Sequence, residues 1–555
     1  MNSGPLLVVV FCALSSPLFA EEAIDHSQVS VDHEEVNDLG EAIDHREEEI
    51  LDDENKEKNQ SSLADSFEIE ADMIGHYSSL LQMDRRFDRE REDIVEWTQR
   101  LDLGINLRTS QQWDFFLSGE LMHWTGGKKN EELVNLYINP QDVRTQFRAD
   151  LGVSFANYQE GHWNLKIGNL ITRWGSSDIS RPLDIINPID RTQAITNDAL
   201  IRIPQFTLDA KYSLSDFSAQ FILVPFFVPD RSFLFGRDSS LLSAEIPAFS
   251  SAGISSALAR LDPSIEEYVQ PALVASERPD EDPSNISIGT RLRMTLLNTD
   301  LSLSYFFGWD RTPTVELDAD VRRIGELVFT DAAFLEDFNL VQFLGRNKDA
   351  SGALKSIQKK AEKGETLIAS RFSRMHTLGI DGVRYFGPFG VRMDLAVHPA
   401  KTFISQSLGT VRRPYINGVI GLSYEKIESE EDAFTLLLEG FYAEVASADA
   451  SISTFFVPEK LRGSGESLLF GKRSYGLITS LVWQLAWLPL QAQTGARYDV
   501  GVEDLFFSAS LRYAWTPRFK TSLGLTLFES FGEELSILKA VDHNDFFWIK
   551  VEGVY

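Results

Sequence analysis

From residue 67 onward the chain alternates. Val95, Trp97, Leu101, Leu103, Ile105 and Leu107 share one parity, while Glu96, Thr98, Arg100, Asp102, Asn106 and Arg108 hold the other. A period of two marks a strand with one apolar and one polar face. The pattern returns where Phe147, Leu151, Val153 and Phe155 oppose Arg144, Gln146, Arg148 and Asp150. It returns again where Ile286, Ile288, Leu292, Met294 and Leu296 oppose Ser287, Gly289, Arg291, Arg293 and Thr295. Near the end Leu505, Phe507, Leu511, Tyr513 and Trp515 oppose Phe506, Ser508, Ser510 and Arg512.

Eighteen such strands are predicted, near 67–78, 95–108, 113–124, 143–156, 162–172, 204–213, 217–228, 285–297, 301–309, 371–385, 389–398, 415–426, 433–445, 472–485, 490–499, 505–515, 518–529 and 545–555. Their connections alternate long and short, and only 500–504 is brief where a long one is due. Long loops on one side, tight turns on the other and an even strand count are the outer-membrane barrel signature. The predicted fold is therefore all-β, a transmembrane antiparallel barrel of about eighteen strands (range 16–18). A helical membrane span between Ser474 and Ala496 is the weaker reading, because Pro489 interrupts it and Tyr475, Leu477, Leu481, Trp483 and Leu485 alternate.

The longest connection, 310–370, does not alternate. Ile324, Leu327 and Val328, then Phe334, Leu335, Phe338, Val341 and Leu344, recur at helical spacing. Thr330-Asp331 offers a cap for the second run, and Ser351 to Lys363 reads as a third, basic helix closed by Gly364. These helices either pack on each other above the rim, with residues 240–260 of the other long loop, or fold inward as a plug.

Composition narrows the partners. The 555 residues carry 52 Lys+Arg against 83 Asp+Glu, a net charge of −31, which excludes a phosphate-neutralising nucleic-acid binder. A mean hydropathy of −0.15 is too polar for a helical membrane protein, yet 38 Phe, 14 Tyr and 10 Trp suit a chain that coats a large apolar surface. Trp97, Trp113, Trp163, Trp309, Tyr385, Trp483 and Trp515 fall near strand ends, where barrels carry aromatic girdles. The only cysteine is Cys12, so neither a disulfide framework nor a thiolate metal site is expected.

Residues 1–20 read as a signal peptide: an apolar run from Leu6 to Leu14, then Ser15-Ser16-Pro17-Leu18-Phe19-Ala20 and Glu21-Glu22. Residues 21–66 hold seventeen acids against Arg46, Lys56 and Lys58, a composition that favours a disordered periplasmic tail. Glu22-Ala23-Ile24-Asp25-His26 recurs as Glu41-Ala42-Ile43-Asp44-His45, but no ligand spacing fixes a metal geometry. The barrel is assigned to 67–555.

No catalytic residues are expected. No Gly-x-Ser-x-Gly elbow, His-Glu-x-x-His helix or phosphate-cradling Gly-Lys-Ser/Thr loop occurs. His76, His123, His162, His376, His398 and His543 are scattered. No cofactor is expected either.

The distinctive segment is Gly168-Asn169-Leu170-Ile171-Thr172-Arg173-Trp174-Gly175, followed by Asp178, Arg181-Pro182-Leu183-Asp184 and Ile185-Ile186-Asn187-Pro188-Ile189-Asp190-Arg191. Over residues 168–191 it resembles an uncharacterised family of Gram-negative porin-like barrels, with a Trp-Gly…Asp…Asn-Pro-x-Asp loop. The resemblance implies transport, and since some relatives stand near inner-membrane exporters of hydrophobic molecules, such an exporter is an implied partner. Pro182 and Pro188 stiffen the loop, and Asp178, Asp184 and Asp190 alternate with Arg173, Arg181 and Arg191, so mutual neutralisation would let it enter a lumen. The loop is read either as a constriction or as a latch against the wall. The C-terminal Phe547, Ile549, Val551 and Tyr555 resemble the β-signal read by barrel-assembly machinery, with Tyr for Phe and Gly553 for a bulky residue.

The function expected is an outer-membrane porin-like channel or transporter for small molecules, embedded in outer-membrane lipid. The alternative is the outer-membrane part of an export pathway for lipids or other hydrophobic cargo; a rim-loop enzyme or adhesin is the remote third. Candidate lumen or constriction residues are Arg144, Arg148, Lys166, Arg173, Asp178, Arg181, Asp184, Asp190, Arg191, Arg291 and Arg293.

Overall fold

The structure is a computed structural model that describes residues 70–84, 94–110, 112–125, 147–190, 202–230, 274–280, 282–311, 314–330, 340–404, 410–429, 432–446, 473–485, 488–532 and 545–555. The expected signal peptide and acidic tail lie outside the described residues, as do Arg144 and Arg191.

The first strands are β1 (Glu70–Asp84), β2 (Ile94–Ser110), β3 (Trp113–Thr125), β4 (Phe147–Glu160), β5 (Trp163–Leu170), β6 (Gln205–Leu214) and β7 (Phe217–Val224). A short β8 (Val274–Glu277) precedes β9 (Ser287–Leu296) and β10 (Thr299–Trp309). The long connection that follows carries β11 (Thr314–Leu317), helices α1 (Ala319–Thr330), α2 (Leu340–Arg346) and α3 (Lys348–Glu362), and β12 (Ile368–Arg371). The barrel resumes with β13 (Arg374–Phe386), β14 (Phe389–Ile404), β15 (Thr410–Ser429), β16 (Asp432–Val445) and β17 (Arg473–Leu485). It finishes with β18 (Leu490–Asp499), β19 (Asp504–Thr516), β20 (Phe519–Ser530) and β21 (Phe546–Val554).

All but β8, β11 and β12 form one eighteen-stranded antiparallel sheet in chain order. It closes because β1 pairs with both β2 and β21. The closure reaches the last residue: Gly75 and Tyr555 exchange two backbone hydrogen bonds, at 3.1 and 2.8 Å. Each predicted strand is present. Tight turns join β2 to β3, β4 to β5 and their successors on one end, and the longer connections leave the other, where only 405–409 and 500–503 are brief. At the turn between β9 and β10, Leu297 and Asn298 both have positive φ (54° and 58°), the mirror-image turn whose twist suits a two-residue hairpin.

The outward parity is the apolar one. Leu103, Ile105, Leu292, Met294, Ile380, Ile420, Leu511 and Leu523 all stand exposed on the outer wall. Closure leaves no unpaired strand edge, the condition for a sheet surrounded by apolar groups.

Two expectations need correction. Phe155 does not share the outward face of Leu151: Leu151 is 55 % exposed and Phe155 is 7 % exposed, packed on Phe116 and Leu170 inside the wall. The cause is a register shift opposite Leu117/Gly119, because one extra residue turns every later side chain to the other face. The connection expected over 399–414 is also shorter. β14 and β15 both extend past their predicted ends, with a register shift between His398 and Lys401, leaving only 405–409 between them.

The helices of the longest connection are where the periodicity puts them, although 331–339, with Phe334, Leu335 and Phe338, lies outside the described residues. Thr330 ends α1. Gly364, at φ 71°, follows α3 as the expected stop. α1 and α3 close on one another: Lys360 Nζ lies 2.7 Å from both Asp318 Oδ1 and Asp320 Oδ2, and Ser356 donates to Asp320 at 2.7 Å. The neighbouring long connection joins them by a route the sequence does not announce, since β8 pairs in parallel with β12, Val274 opposite Ile368. Residues 240–260 lie outside the described residues.

Candidate functional site

The distinctive segment leaves β5 and turns into the barrel. No residue from 171 to 190 is exposed. Its neck is held by Asn187, whose side-chain oxygen accepts from Thr172 N (2.7 Å) and whose amide donates to Leu170 O (2.8 Å) and Ile203 O (3.1 Å). The Pro188 carbonyl then accepts from Ile203 N at 2.8 Å. The Asn-Pro pair thus satisfies the backbone at the point where strand pairing stops, which a buried segment requires.

Beyond the neck the loop runs almost across the ring, since β16 stands eight strands round from β5 in an eighteen-strand circle. Two carboxylates on the far wall take up its amides. Asp394 on β14 accepts from Ser176 N (2.8 Å) and Ser177 N (3.2 Å). Glu439 on β16 accepts from Asp178 N (3.0 Å), Ile179 N (3.1 Å) and Ser180 N (2.8 Å). Five consecutive backbone donors therefore end on two side chains. Gly175 permits the approach: its φ is +111°, and a Cβ there would stand 2.4 Å from Asp394 Oδ2.

Apolar packing seals the same wall. Trp174, Leu183 and Ile186 pack with Ile222, Val224, Phe306 and Ala396, and Ile179 packs with Val419, Leu437, Phe441 and Ile478. Trp174 lies over Gly289, where a Cβ would meet its ring at 2.8 Å, and donates Nε1–H to Gln220 at 3.0 Å. Leu183 fills the space above Gly379 in the same way, at 2.4 Å. Where an ordinary barrel wall faces water, this sector holds a close-packed interior.

Each of the three loop acids has an arginine from elsewhere. Asp178 meets Arg392 on β14 at 3.0 Å, Asp184 meets Arg202 at 2.7 Å, and Asp190 meets Arg148 on β4 at 2.9 Å. The expected neutralisation by the loop's own arginines is therefore largely supplied from outside it. Arg181 donates to Ser177 O at 3.3 Å, although it also lies close enough to act on Asp178. Burial pushes the Asp178 carboxyl up, against the pull of Arg392 and Arg181. Arg311, just past β10, is missed by any periodicity, yet it donates to Ile186 O (2.8 Å), Gln205 Oε1 (2.8 Å) and Val228 O (2.7 Å). Burial lowers its pKa to about 10. Arg202 likewise sits outside any strand.

The lumen wall from β21 through β1 to β4 is charged. From β21 through β4 the polar contacts run Lys550–Glu552 (2.6 Å), Glu552–His76 (3.8 Å), His76–Asp102 (3.3 Å) and Asp102–Arg100 (2.9 Å), those of His76 being ion pairs when it is protonated. They continue as Arg100–Glu120 (2.9 Å) and Glu120–Arg148 (3.3 Å), and Arg148 joins the belt to Asp190 of the loop. From His76 to Arg148 the belt side chains keep 11–16 % exposure, against 0–1 % at the Asp184–Arg202 pair.

The remaining candidates are dispersed. Lys166 stands over the Phe155 ring at 5.7 Å, and Arg291 pairs with Asp381 at 2.7 Å. Arg293 points inward near the tight-turn end and is exposed. Arg173 is half-buried in the loop. Asp394, Asp381, Arg392 and Glu439 are the wall residues that hold the loop; parity marks them as inward, but only the folded loop shows what they meet.

No family model matches the chain, so the resemblance carried by residues 168–191 has no support from one, and no curated protein matches either. Among solved structures the chain is similar to Pseudomonas aeruginosa OccK5 (OpdH), at 11 % identity and a TM-score of 0.40, over 88 % of this chain and 97 % of that one. Acinetobacter baumannii OccAB4 is similar at 10 % identity and 0.40, over 88 % and 97 %. A mutant form of Rh. blastica porin is similar at 10 % identity and 0.33, over 88 % and 100 %. The barrel assignment rests on its own hydrogen-bonded ring of strands, not on these likenesses.

Proposed function

We propose that the barrel spans the outer membrane of a Gram-negative bacterium as a porin-like channel for small polar or charged molecules. The apolar outer wall and the closed ring support the membrane setting. β1 begins, and β21 ends, at the tight-turn end, which in such barrels is periplasmic and would put the acidic tail there. One observation carries the channel reading: the loop is fused to the β7–β17 side by apolar packing, whereas the β21–β4 side presents a partly wetted belt of alternating charge. Passage then runs between loop and belt, and both signs on its walls give mild ion selectivity. Hydrophobic export has less support, because the apolar clusters around Trp174 and Ile179 are closed by the loop itself.

The test is reconstitution of the mature chain in a planar bilayer. Stepwise currents and heat-modifiable migration are expected. A folded, inserted barrel without ion conductance would overturn the channel reading, and partition of native protein into water would overturn the membrane setting.

A further inference from the structure

At the long-loop end the outer wall carries neighbouring cations that, among the described residues, the chain's own acids leave alone. Arg374 opens β13, directly after the longest connection, and is opposite Trp309 in the register. Its two terminal nitrogens donate to Ile286 O (2.7 Å) and Ser284 O (2.6 Å), and its guanidinium lies 4.6 Å from the Trp309 ring centroid and 4.9 Å from that of Phe307. Arg412, third residue of β15, reaches across β14 to donate to Arg374 O at 2.6 Å, and Arg413, of the inward parity, donates back to Arg412 O at 3.1 Å.

Among the described residues none of these three arginines has a carboxylate in ion-pair reach, in a chain of net charge −31. The contrast is local. Arg473, at the same long-loop end of β17, is paired with Glu444 at 3.0 Å. Uncompensated arginines on an acidic chain are a site for an anion, and a planar guanidinium with spare donors suits phosphate.

The surroundings select the kind of phosphate. Arg374 shares its outward parity with Leu378 and Ile380, and Arg412 with Ile416, Ile420 and Leu422, all exposed on the apolar wall. Between charge and apolar stripe lie Tyr305, whose hydroxyl meets His376 Nδ1 at 2.8 Å, Phe307 and Trp309. Cation above, aromatic at the boundary and aliphatic below is the order of chemistry in a lipid, from headgroup to chain.

We propose that Arg374 and Arg412 form a docking site for the phosphate-bearing headgroup of a membrane lipid in the leaflet at the long-loop end, with its chains along the stripe below. This rests on the outer-membrane reading above. The site fixes a lipid at β10–β15, the sector whose inner face the luminal loop packs against.

The experiment titrates the full mature chain in detergent with diphosphoryl lipid A by native mass spectrometry, in wild type and Arg374→Gln/Arg412→Gln. Two surface arginines correspond to retention about thirty-fold weaker in the double variant, with heat-modifiable migration unchanged. Arg412→Gln alone supplies a second variant. Equal binding of the dephosphorylated lipid, equal retention by both variants, protection by inorganic phosphate alone to the same degree, or loss of an oligomer instead of lipid would each overturn the site. A chain that inserts into vesicles but fails these comparisons refutes only the docking site. A chain that never inserts refutes the membrane reading and the site together.

Discussion

Glu439 and Ser180 meet at 2.8 Å, carboxylate oxygen to backbone nitrogen, although 259 positions separate them in the chain. The same carboxylate takes Ile179 N and Asp178 N, so one side chain on β16 ends three backbone donors of a loop anchored on β5. A buried loop cannot leave such donors empty, since each unsatisfied group costs about 1–3 kcal/mol. The loop's position across the lumen therefore depends on a residue of the far wall more than on its own sequence.

Glu439→Ala should release the loop without unfolding the barrel, because the β16 ladders are backbone bonds that the substitution leaves intact. Loss of about 3 kcal/mol would raise amide exchange at 178–180 by about a hundredfold. Single-channel current should also grow larger and noisier. Glu439→Gln keeps an acceptor oxygen and should fall between. Exchange at wild-type rates in the alanine variant would show that the loop is held by its apolar packing alone.

Arg293 offers a charge test that disturbs no ion pair. It points inward, is exposed, and has no carboxylate partner among the described residues. Arg293→Glu changes the lumen charge by two at one place, and reversal potential in a salt gradient should move toward cation preference. The shift should be larger at 0.1 M than at 1 M salt, as the screening length falls from about 10 Å to about 3 Å. An unchanged potential at both concentrations would put Arg293 outside the conducting path.

The barrel was legible in the sequence because every spanning residue obeys one two-sided rule, lipid outside and lumen inside, and period two records it. Phe155 was misplaced because a register shift opposite Leu117/Gly119 reverses parity without any change in composition. The loop was legible as something built to enter the lumen, since its three acids demand partners. Which partners was not legible: Arg202 and Arg311 lie outside the periodic strands, and Arg148, Arg392, Asp394 and Glu439 meet the loop only through closure of the ring. Parity says that a residue faces inward and nothing about what crosses to meet it.

The helical segment should respond to acid in a defined direction. Partial burial raises the Asp318 carboxyl, but Lys360 and the Asp320 amide outweigh it and bring it below its ordinary value. Lys360 and Ser356 lower Asp320, and the two acids raise Lys360. For the depressed carboxyls the stabilisation is complete above the ordinary value of about 4 and disappears as pH falls through the lower folded values. For the raised ammonium it is complete below about 10.4 and disappears above it. Exchange at 319–322 and 357–360, corrected for intrinsic rates, should be flat from about pH 5 to 9 and rise below about 4. A rise between 5 and 9 would assign the helix contact to some other group.

Two deletions decide which segment closes the lumen. An eighteen-stranded barrel leaves an aqueous channel unless something fills it. One candidate is the helical segment, whose α1 and α3 spend their polar contacts on each other through Lys360, Ser356, Asp318 and Asp320. The other is the loop after β5, whose amides at 176–180, Asp178 and Asp190, and apolar side chains such as Trp174 are engaged by barrel walls. Removing 322–364 should therefore change single-channel conductance little, while removing 174–186 should raise it greatly and sensitise cells to large antibiotics. If the second deletion fails to fold, Asp394→Ala/Glu439→Ala tests the same closure with the chain length intact. The reverse pattern, a large rise on removing 322–364 and none on freeing the loop, would make the helices the plug and reduce 171–190 to a brace on the wall.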